Sequence, residues 1–320
     1  MTGIWMYVWL IVGFVLLVKG ADFFVEGSSS VARRLRVPSL IIGLTIVSMG
    51  TSLPEAAVSI AASVTGNNAM AVSNVVGSNI FNLMVVCGAC ALFAPLAVKA
   101  DTLKKEFPFS ILITVLLLGL GYWGMAVDRI DGIVFLILFI AFLVWMVRSA
   151  LEARKAGVVR AEEEDEESGR ALLPVWRCVI YIVGGAAAIA LGGDLVVDSA
   201  SAIAAQFGLS QNLIGLTIVA LGTSLPELVT SLVAARKQEV DMALGNVIGS
   251  NIFNILFVLG MAASISPVAF VMENVIDIAL LLAMSFLVYA FAWQKKSINR
   301  WEGALMLFIY GGYMAYICTR

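Results

Sequence analysis

The 320-residue sequence contains no histidine. Without an imidazole there is no Ser–His or Cys–His nucleophile pair and little scope for a zinc centre. Charge is scarce as well: Asp, Glu, Lys and Arg make up 13% of the chain, against about 25% in soluble domains. The formal net charge of −2 offers no basic surface and argues against a nucleic-acid partner. There are four cysteines, Cys87, Cys90, Cys178 and Cys318, all in or at the edges of apolar runs. Cys87 and Cys90 form a C-x-x-C, but no second pair and no histidine accompany them, so they read as small helix-packing residues and not as zinc ligands. Also missing are the short segments of alternating polarity that a membrane-spanning β-barrel requires.

What fills the chain is apolar sequence. Hydrophobic residues make up 61% of it and the mean hydropathy is +0.99, the composition of an integral membrane protein. A spanning helix needs about 20 apolar residues, and ten stretches qualify: 4–31, 39–65, 70–96, 107–126, 131–153, 176–206, 212–235, 240–265, 272–293 and 300–318. The expected fold class is all-α, with ten transmembrane helices. The first stretch has no basic leader and no small-residue cleavage site, so it reads as a span and not as a removable signal. Between the fifth and sixth spans lies "RAEEEDEESGR" (Arg160–Arg170), the composition of a solvated linker without the ligand spacing of a calcium loop. The expected units are a membrane repeat at 1–153, an acidic loop at 154–175 and a second membrane repeat at 176–320. Alternate loops differ sharply in basic content, and 17 of the 20 Lys and Arg residues fall in one set. The positive-inside rule makes that set and the acidic loop cytoplasmic and both termini extracellular, in a multi-pass protein of the cell membrane.

Shifting the sequence by 172 residues aligns it with itself. "IGLTIVSMGTSLPE" (Ile42–Glu55) then matches "IGLTIVALGTSLPE" (Ile214–Glu227) at 12 of 14 positions, and "NVVGSNIFNLMVVCG" (Asn74–Gly88) matches "NVIGSNIFNILFVLG" (Asn246–Gly260) at 10 of 15. The same register pairs Asp22 with Asp194. One ungapped shift over so long a stretch is the mark of duplication. Five spans separate corresponding helices, and an odd number makes the two halves cross the membrane in opposite directions, the plan of many secondary transporters. Duplication alone gives pseudo-symmetry and no activity, so the polar residues inside it carry the functional argument.

Each repeat holds "GTSLPE", at Gly50–Glu55 and at Gly222–Glu227. Proline lacks an N–H and clashes with the preceding turn, so Pro54 strips the carbonyl of Gly50 of its helical partner and Pro226 does the same to Gly222. Both spans are expected to break there. A glutamate follows each proline, and an ionised side chain at a helix centre costs roughly 2.5–3.5 kcal/mol even on the lenient insertion scale. Ser48, Ser52, Glu55 and Ser59 lie on one helical face, repeated by Ala220, Ser224, Glu227 and Ser231. In the next span Asn74, Ser78 and Asn82 form an i, i+4, i+8 stripe matched by Asn246, Ser250 and Asn254. Serine and asparagine often serve only to join helices, and Pro or Gly only to kink them. An intramembrane acid with no basic residue in its motif is different, and Glu55 and Glu227 are candidate cation ligands. Carboxylates, hydroxyls, amide oxygens and freed carbonyls suit a hard cation, whereas a soft metal prefers thiolate or imidazole. Asp22, Glu26, Asp194 and Asp198 lie on the long helices leading to loops, where a structural or access-path role is expected; Lys19 is a candidate partner for Asp22.

Together, "GTSLPE" and "GSNIFN" in both halves, ten spans and an acidic central loop resemble the calcium/cation antiporter superfamily, most closely its prokaryotic sodium/calcium exchangers. The resemblance spans nearly the whole chain. It implies a transporter and not an enzyme, with Ca2+ and Na+ as substrates, a lipid bilayer as surroundings, no cofactor and no obligatory protein partner. It also implies a cation site made of Ser48, Thr51, Ser52, Glu55, Ser78 and Asn82 from the first repeat, with Ala220, Thr223, Ser224, Glu227, Ser250 and Asn254 from the second. Ala220 would act through its carbonyl, and Ser48 and Thr51 would contribute backbone oxygens in the same way. Several relatives carry aspartate where this chain has Asn254, and an acid there is tied to potassium use, so potassium-independent, electrogenic exchange is expected. A proton-coupled calcium antiporter is the alternative. A cation channel would more often gather its acids around an oligomer axis, and a scaffold would not explain the repeated acids.

Overall fold

The computed structural model describes residues 4–65, 69–157, 172–208, 214, 218 and 220–319. The acidic block at 160–170 lies outside them, as does most of 212–219 in the seventh expected span. Nearly all of the described chain is helical. In chain order the helices are α1 (Trp5–Leu35), α2 (Ser39–Thr51), α3 (Leu53–Val64), α4 (Ala71–Phe93), α5 (Ala100–Gly124), α6 (Arg129–Ala156), α7 (Val175–Gln206), α8 (Leu225–Arg236), α9 (Val240–Ile265), α10 (Met272–Lys295) and α11 (Arg300–Thr319). Among the described residues seven of these are long and apolar enough to cross a bilayer, and α2 with α3, bent by 49° at their junction, make an eighth. The other two expected spans fall below that measure for local reasons. One is only partly described, and α11 carries Tyr310, Gly311, Gly312, Tyr313 and Tyr316, which dilute its apolar character.

Helix ends follow local chemistry. α1 continues to Leu35 instead of ending near 31: Arg33 and Arg34 occupy its last turn, where cations favour the helix dipole. Arg36, at φ 55°, then closes the helix by donating its N–H to the carbonyl of Arg33 at 3.2 Å. α6 opens on a reciprocal cap, in which Asp128 Oδ1 accepts from the N–H groups of Ile130 and Asp131 while Asp131 Oδ2 accepts from that of Asp128.

The two longest helices, α1 and α7, pack backbone against backbone. A Cβ added to Gly13 would lie 3.0 Å from the carbonyl oxygen of Gly192, one on Gly20 3.0 Å from that of Gly185, and one on Gly27 3.1 Å from that of Cys178. Residue numbers rise along α1 as they fall along α7, so the helices are antiparallel. They are also equivalents under the 172-residue shift. Within lipid, apolar side chains gain little by meeting one another, and small residues win association by allowing close approach.

Two-residue strands tie the halves together at the helix ends. β1 (Leu96–Ala97) pairs antiparallel with β4 (Ser297–Ile298), and β2 (Ala126–Val127) pairs with β3 (Val268–Ala269). The shift carries β1 onto β3 and β2 onto β4 with one residue of stagger, so each strand pair maps onto the other.

The centre belongs to the helices that carry "GSNIFN". Of the most apolar 18 residues in α4 and in α9, 78% are buried, against 28–39% in the other five. The outer helices leave large apolar side chains such as Trp123, Trp301 and Phe308 exposed, the arrangement expected of a surface that meets lipid. Cys87 and Cys90 are free and buried within α4.

Candidate cation site

The chain between α2 and α3 turns at Ser52 (φ −86°, ψ 11°), and between the short helical turn Ala220–Gly222 and α8 it turns at Ser224 (φ −95°, ψ 5°). Pro54 and Pro226 then sit in the first turn of α3 and α8, where a missing N–H leaves nothing unpaired. The break falls just ahead of each proline and not at it, for that reason. It delivers Glu55 and Glu227 to the first turn of their helices, the end at which a carboxylate is favoured by the backbone dipole.

Both glutamates are 0% exposed. Their partners cross between the repeats: Ser52 Oγ donates to Glu227 Oε1 at 2.6 Å, and Ser224 Oγ donates to Glu55 Oε1 at 3.2 Å. Since 52 + 172 is 224 and 55 + 172 is 227, each bond is the other's image. Around them the asparagines are held by the same pseudo-symmetry. Asn74 Nδ2 donates to Ser59 Oγ at 3.0 Å and Asn246 Nδ2 to Ser231 Oγ at 2.9 Å. Asn246 Oδ1 in turn accepts from Thr51 Oγ1 at 3.1 Å.

Asn82 and Asn254 each open a π-helical turn, Asn82–Val86 and Asn254–Leu259, an irregularity frequent at functional sites. A third, at Gly43–Val47, leads into the "GTSLPE" break. Nothing in the residue order marks these turns.

Several buried polar atoms here have no hydrogen-bond partner among the described residues: Glu55 Oε2, Glu227 Oε2, Asn82 Oδ1 and Nδ2, Asn254 Oδ1 and Thr223 Oγ1. Native interiors rarely leave such groups unmade, at about 1–3 kcal/mol each and more for a charge. Five of the six are oxygens. Among the described residues no group of three or more His, Cys, Asp or Glu exists, so the arrangement is two carboxylates amid neutral oxygen donors. Its chemistry fits a hard cation.

Residues 5–148 and 178–319 match the family described as "Sodium/calcium exchanger protein". The chain belongs to the sodium/calcium exchanger family. Its relatives include the putative antiporter CaxA of Alkalimonas amylolytica, 43% identical with 96% of each chain covered. Another is the sodium/calcium exchanger MaX1 of Methanosarcina acetivorans, 31% identical over 96% of this chain and 97% of that one. Among solved structures, the sodium-calcium exchanger NCX_Mj, soaked with zero Na+ and Ca2+, superposes with a TM-score of 0.85 at 33% identity, covering 99% of this chain and all of that one.

In this exchanger fold Ser52 meets Glu227, Ser224 meets Glu55 and Thr51 meets Asn246 across the repeat boundary, and Ser250 is buried on α9 with its Oγ unpartnered among the described residues. Asn82, Asn254 and Ser78 are buried beside them on α4 and α9, and Thr223 is half-buried. Ser48 points elsewhere: its Oγ donates to the carbonyl of Thr45 at 3.2 Å, and its own carbonyl accepts from Ser52 N and Thr51 Oγ1. At Ala220 the backbone is helical. Two residues escaped the sequence reading. Asn79 and Asn251 donate from Nδ2 to each other's backbone carbonyls, at 3.2 and 3.3 Å, and so lie astride the pseudo-twofold axis. Both were visible as the first asparagine of "GSNIFN", matched at a shift of 172.

The candidate pairing of Lys19 with Asp22 does not form among the described residues, and Lys19 is exposed. Instead Lys237, just after α8, reaches Asp22 Oδ1 at 3.1 Å and Glu26 Oε2 at 3.4 Å on α1, and donates to the carbonyl of Asp22 at 2.9 Å. A contact over 215 residues is invisible to local spacing. The partner carboxylates are more than two-fifths exposed, so solvent screening keeps the worth of these pairs to about 1 kcal/mol. Lys237→Met is expected to lower the melting temperature in detergent by a few degrees, with most of that loss disappearing at high salt.

Proposed function

We propose that this exchanger carries Ca2+ in one direction and Na+ in the other, by alternating access through two inverted five-helix repeats, at 1–153 and 176–320, joined by a cytoplasmic acidic loop. The observation that carries the reading is the pair of fully buried glutamates, each held by the other repeat's serine and each with one oxygen uncommitted. Antiparallel α1 and α7, together with strand pairs that map onto one another, support the inverted plan. The distribution of basic residues supports cytoplasmic placement of the loop and external termini.

The ligands proposed for the cations are Glu55, Glu227, Ser52, Ser224, Thr51, Thr223, Ser78, Ser250, Asn82 and Asn254, with Ser48 and Ala220 contributing in another conformation. Glu55 and Glu227 supply −2, so one Ca2+ leaves the site neutral, whereas the three Na+ implied by family resemblance leave it at +1. Exchange is then electrogenic, and one net charge per cycle is worth about 2.3 kcal/mol per 100 mV. The two ions exclude one another by using the same carboxylates, which couples the fluxes locally. Asn254 keeps an oxygen ligand without a titratable charge and favours independence from potassium. MaX1, by its name, exchanges the same two ions.

The test uses calcium-free, sodium-loaded vesicles containing the protein, diluted into sodium-free, potassium-free buffer with a proton-gradient collapser present. Calcium uptake that requires the internal sodium is expected. No uptake there, with uptake driven by an imposed proton gradient, would instead assign proton-coupled calcium antiport.

A further inference from the structure

Resting on that reading of the site, we infer that Asn79 and Asn251 are positioning residues that take turns aiming the two site asparagines, one in each facing of the exchanger. Asn254 Nδ2 donates to Asn79 Oδ1 at 3.1 Å. This contact fixes the amide of Asn254 with its nitrogen turned away and leaves Oδ1 uncommitted among the site oxygens. The image of this bond under the 172-residue shift is Asn82 Nδ2 donating to Asn251 Oδ1. That bond is absent, and both of its atoms are buried without a partner among the described residues. The backbone bonds between Asn79 and Asn251 are present in both senses, so the pseudo-symmetry is intact at the axis and broken at one side-chain contact.

The break accompanies a difference in exposure. On α4, Ser73 is exposed and Asn74 and Gly77 are half-buried, whereas their images on α9, Gly245, Asn246 and Gly249, are all buried. Among the described residues, then, the first repeat is the more exposed of the two along this face. In an inverted-repeat transporter each repeat adopts in one end state the arrangement its partner holds in the other. When the repeats exchange arrangements, Asn82 gains Asn251 as its acceptor and Asn254 loses Asn79. A dangling amide cannot present its oxygen as reliably as one held by a hydrogen bond, and removing such an outer partner typically weakens cation binding 10–100-fold.

The experiment measures the KM for Ca2+ on each side of the membrane, in right-side-out and inside-out vesicles, for wild type, Asn79→Ala and Asn251→Ala. Asn79→Ala is expected to raise KM about tenfold on one side, with little change on the other, and Asn251→Ala to do the reverse. Asn79→Gln is the control for folding. It keeps an amide acceptor and an amide donor, and it should keep the wild-type ratio of the two KM values. Equal KM changes on both sides for each variant, or a loss of exchange that Asn79→Gln does not restore, would overturn the inference and reduce both residues to a structural clasp. If wild type itself shows no sodium-dependent calcium uptake, the functional reading fails first and independently of these variants.

Discussion

Glu55→Gln is expected to abolish sodium-driven calcium uptake while leaving a folded protein, and Glu227→Gln to do the same. Glutamine keeps the shape of the side chain and an oxygen to accept from Ser224 or Ser52, so the bonds across the repeats survive. What disappears is one of two negative charges. A unit charge about 4 Å from a cation contributes about 4 kcal/mol per cation charge at an effective dielectric of 20, equivalent to about a thousandfold in affinity. Stability should move the other way. Without cations, each variant replaces a fully buried carboxylate by a neutral amide and is expected to melt at or above the wild-type temperature. Wild type gains melting temperature as Ca2+ is added, because a ligand that binds only the folded state stabilises it by mass action, and the variants lose that gain. Uptake at the normal rate in either variant would show that the glutamate does not hold the transported ion.

Gly249→Ala and Gly77→Ala, the same change in the same "GSN" of each repeat, have opposite consequences. A Cβ on Gly249 would lie 2.6 Å from Ser48 Oγ and 2.7 Å from both the Cα and the carbonyl oxygen of Leu44. Backbone cannot yield as a side chain can, and overpacking of this kind costs about 1–3 kcal/mol or more. Gly249→Ala is expected to lose most of its folded yield in detergent. A Cβ on Gly77 meets no described atom within 4 Å, and alanine is the better helix former by about 1 kcal/mol. Gly77→Ala should fold at least as well as wild type. If the repeats exchange arrangements, however, Gly77 must take the crowded place that Gly249 now holds, and the methyl group bars that state. Exchange then falls at least tenfold with no loss of melting temperature. A Gly77→Ala protein that exchanged at the wild-type rate would refute the swap.

The order of these effects reflects how far each feature could be read along the chain. Apolar runs, the acidic linker and the 172-residue repeat are local or self-referential properties, and they gave the helices, the duplication and the glutamate pair. Proline chemistry gave the break, displaced only because proline belongs in the first turn of the helix after it. Chain-local spacing did not reach Lys237, which crosses 215 residues to Asp22 where nearby Lys19 had been the expected partner. Nor did it reach the π-helical turns at Asn82 and Asn254, since such turns arise from packing and not from the order of residues within them.

By itself, then, the sequence determined that the chain is a membrane protein, that it is duplicated, and that two acids lie in broken helices with hydroxyl and amide oxygens beside them. Periodicity, hydropathy and a missing N–H are sufficient for each. Only the tertiary structure decided that Ser52 holds Glu227 and Ser224 holds Glu55, that Asn79 and not Asn251 grips a site asparagine, and that Gly249 is crowded where Gly77 meets no described atom. The two repeats are nearly identical in these motifs, so no property of the residues distinguishes one copy from the other. The difference comes from how the helices lean on one another.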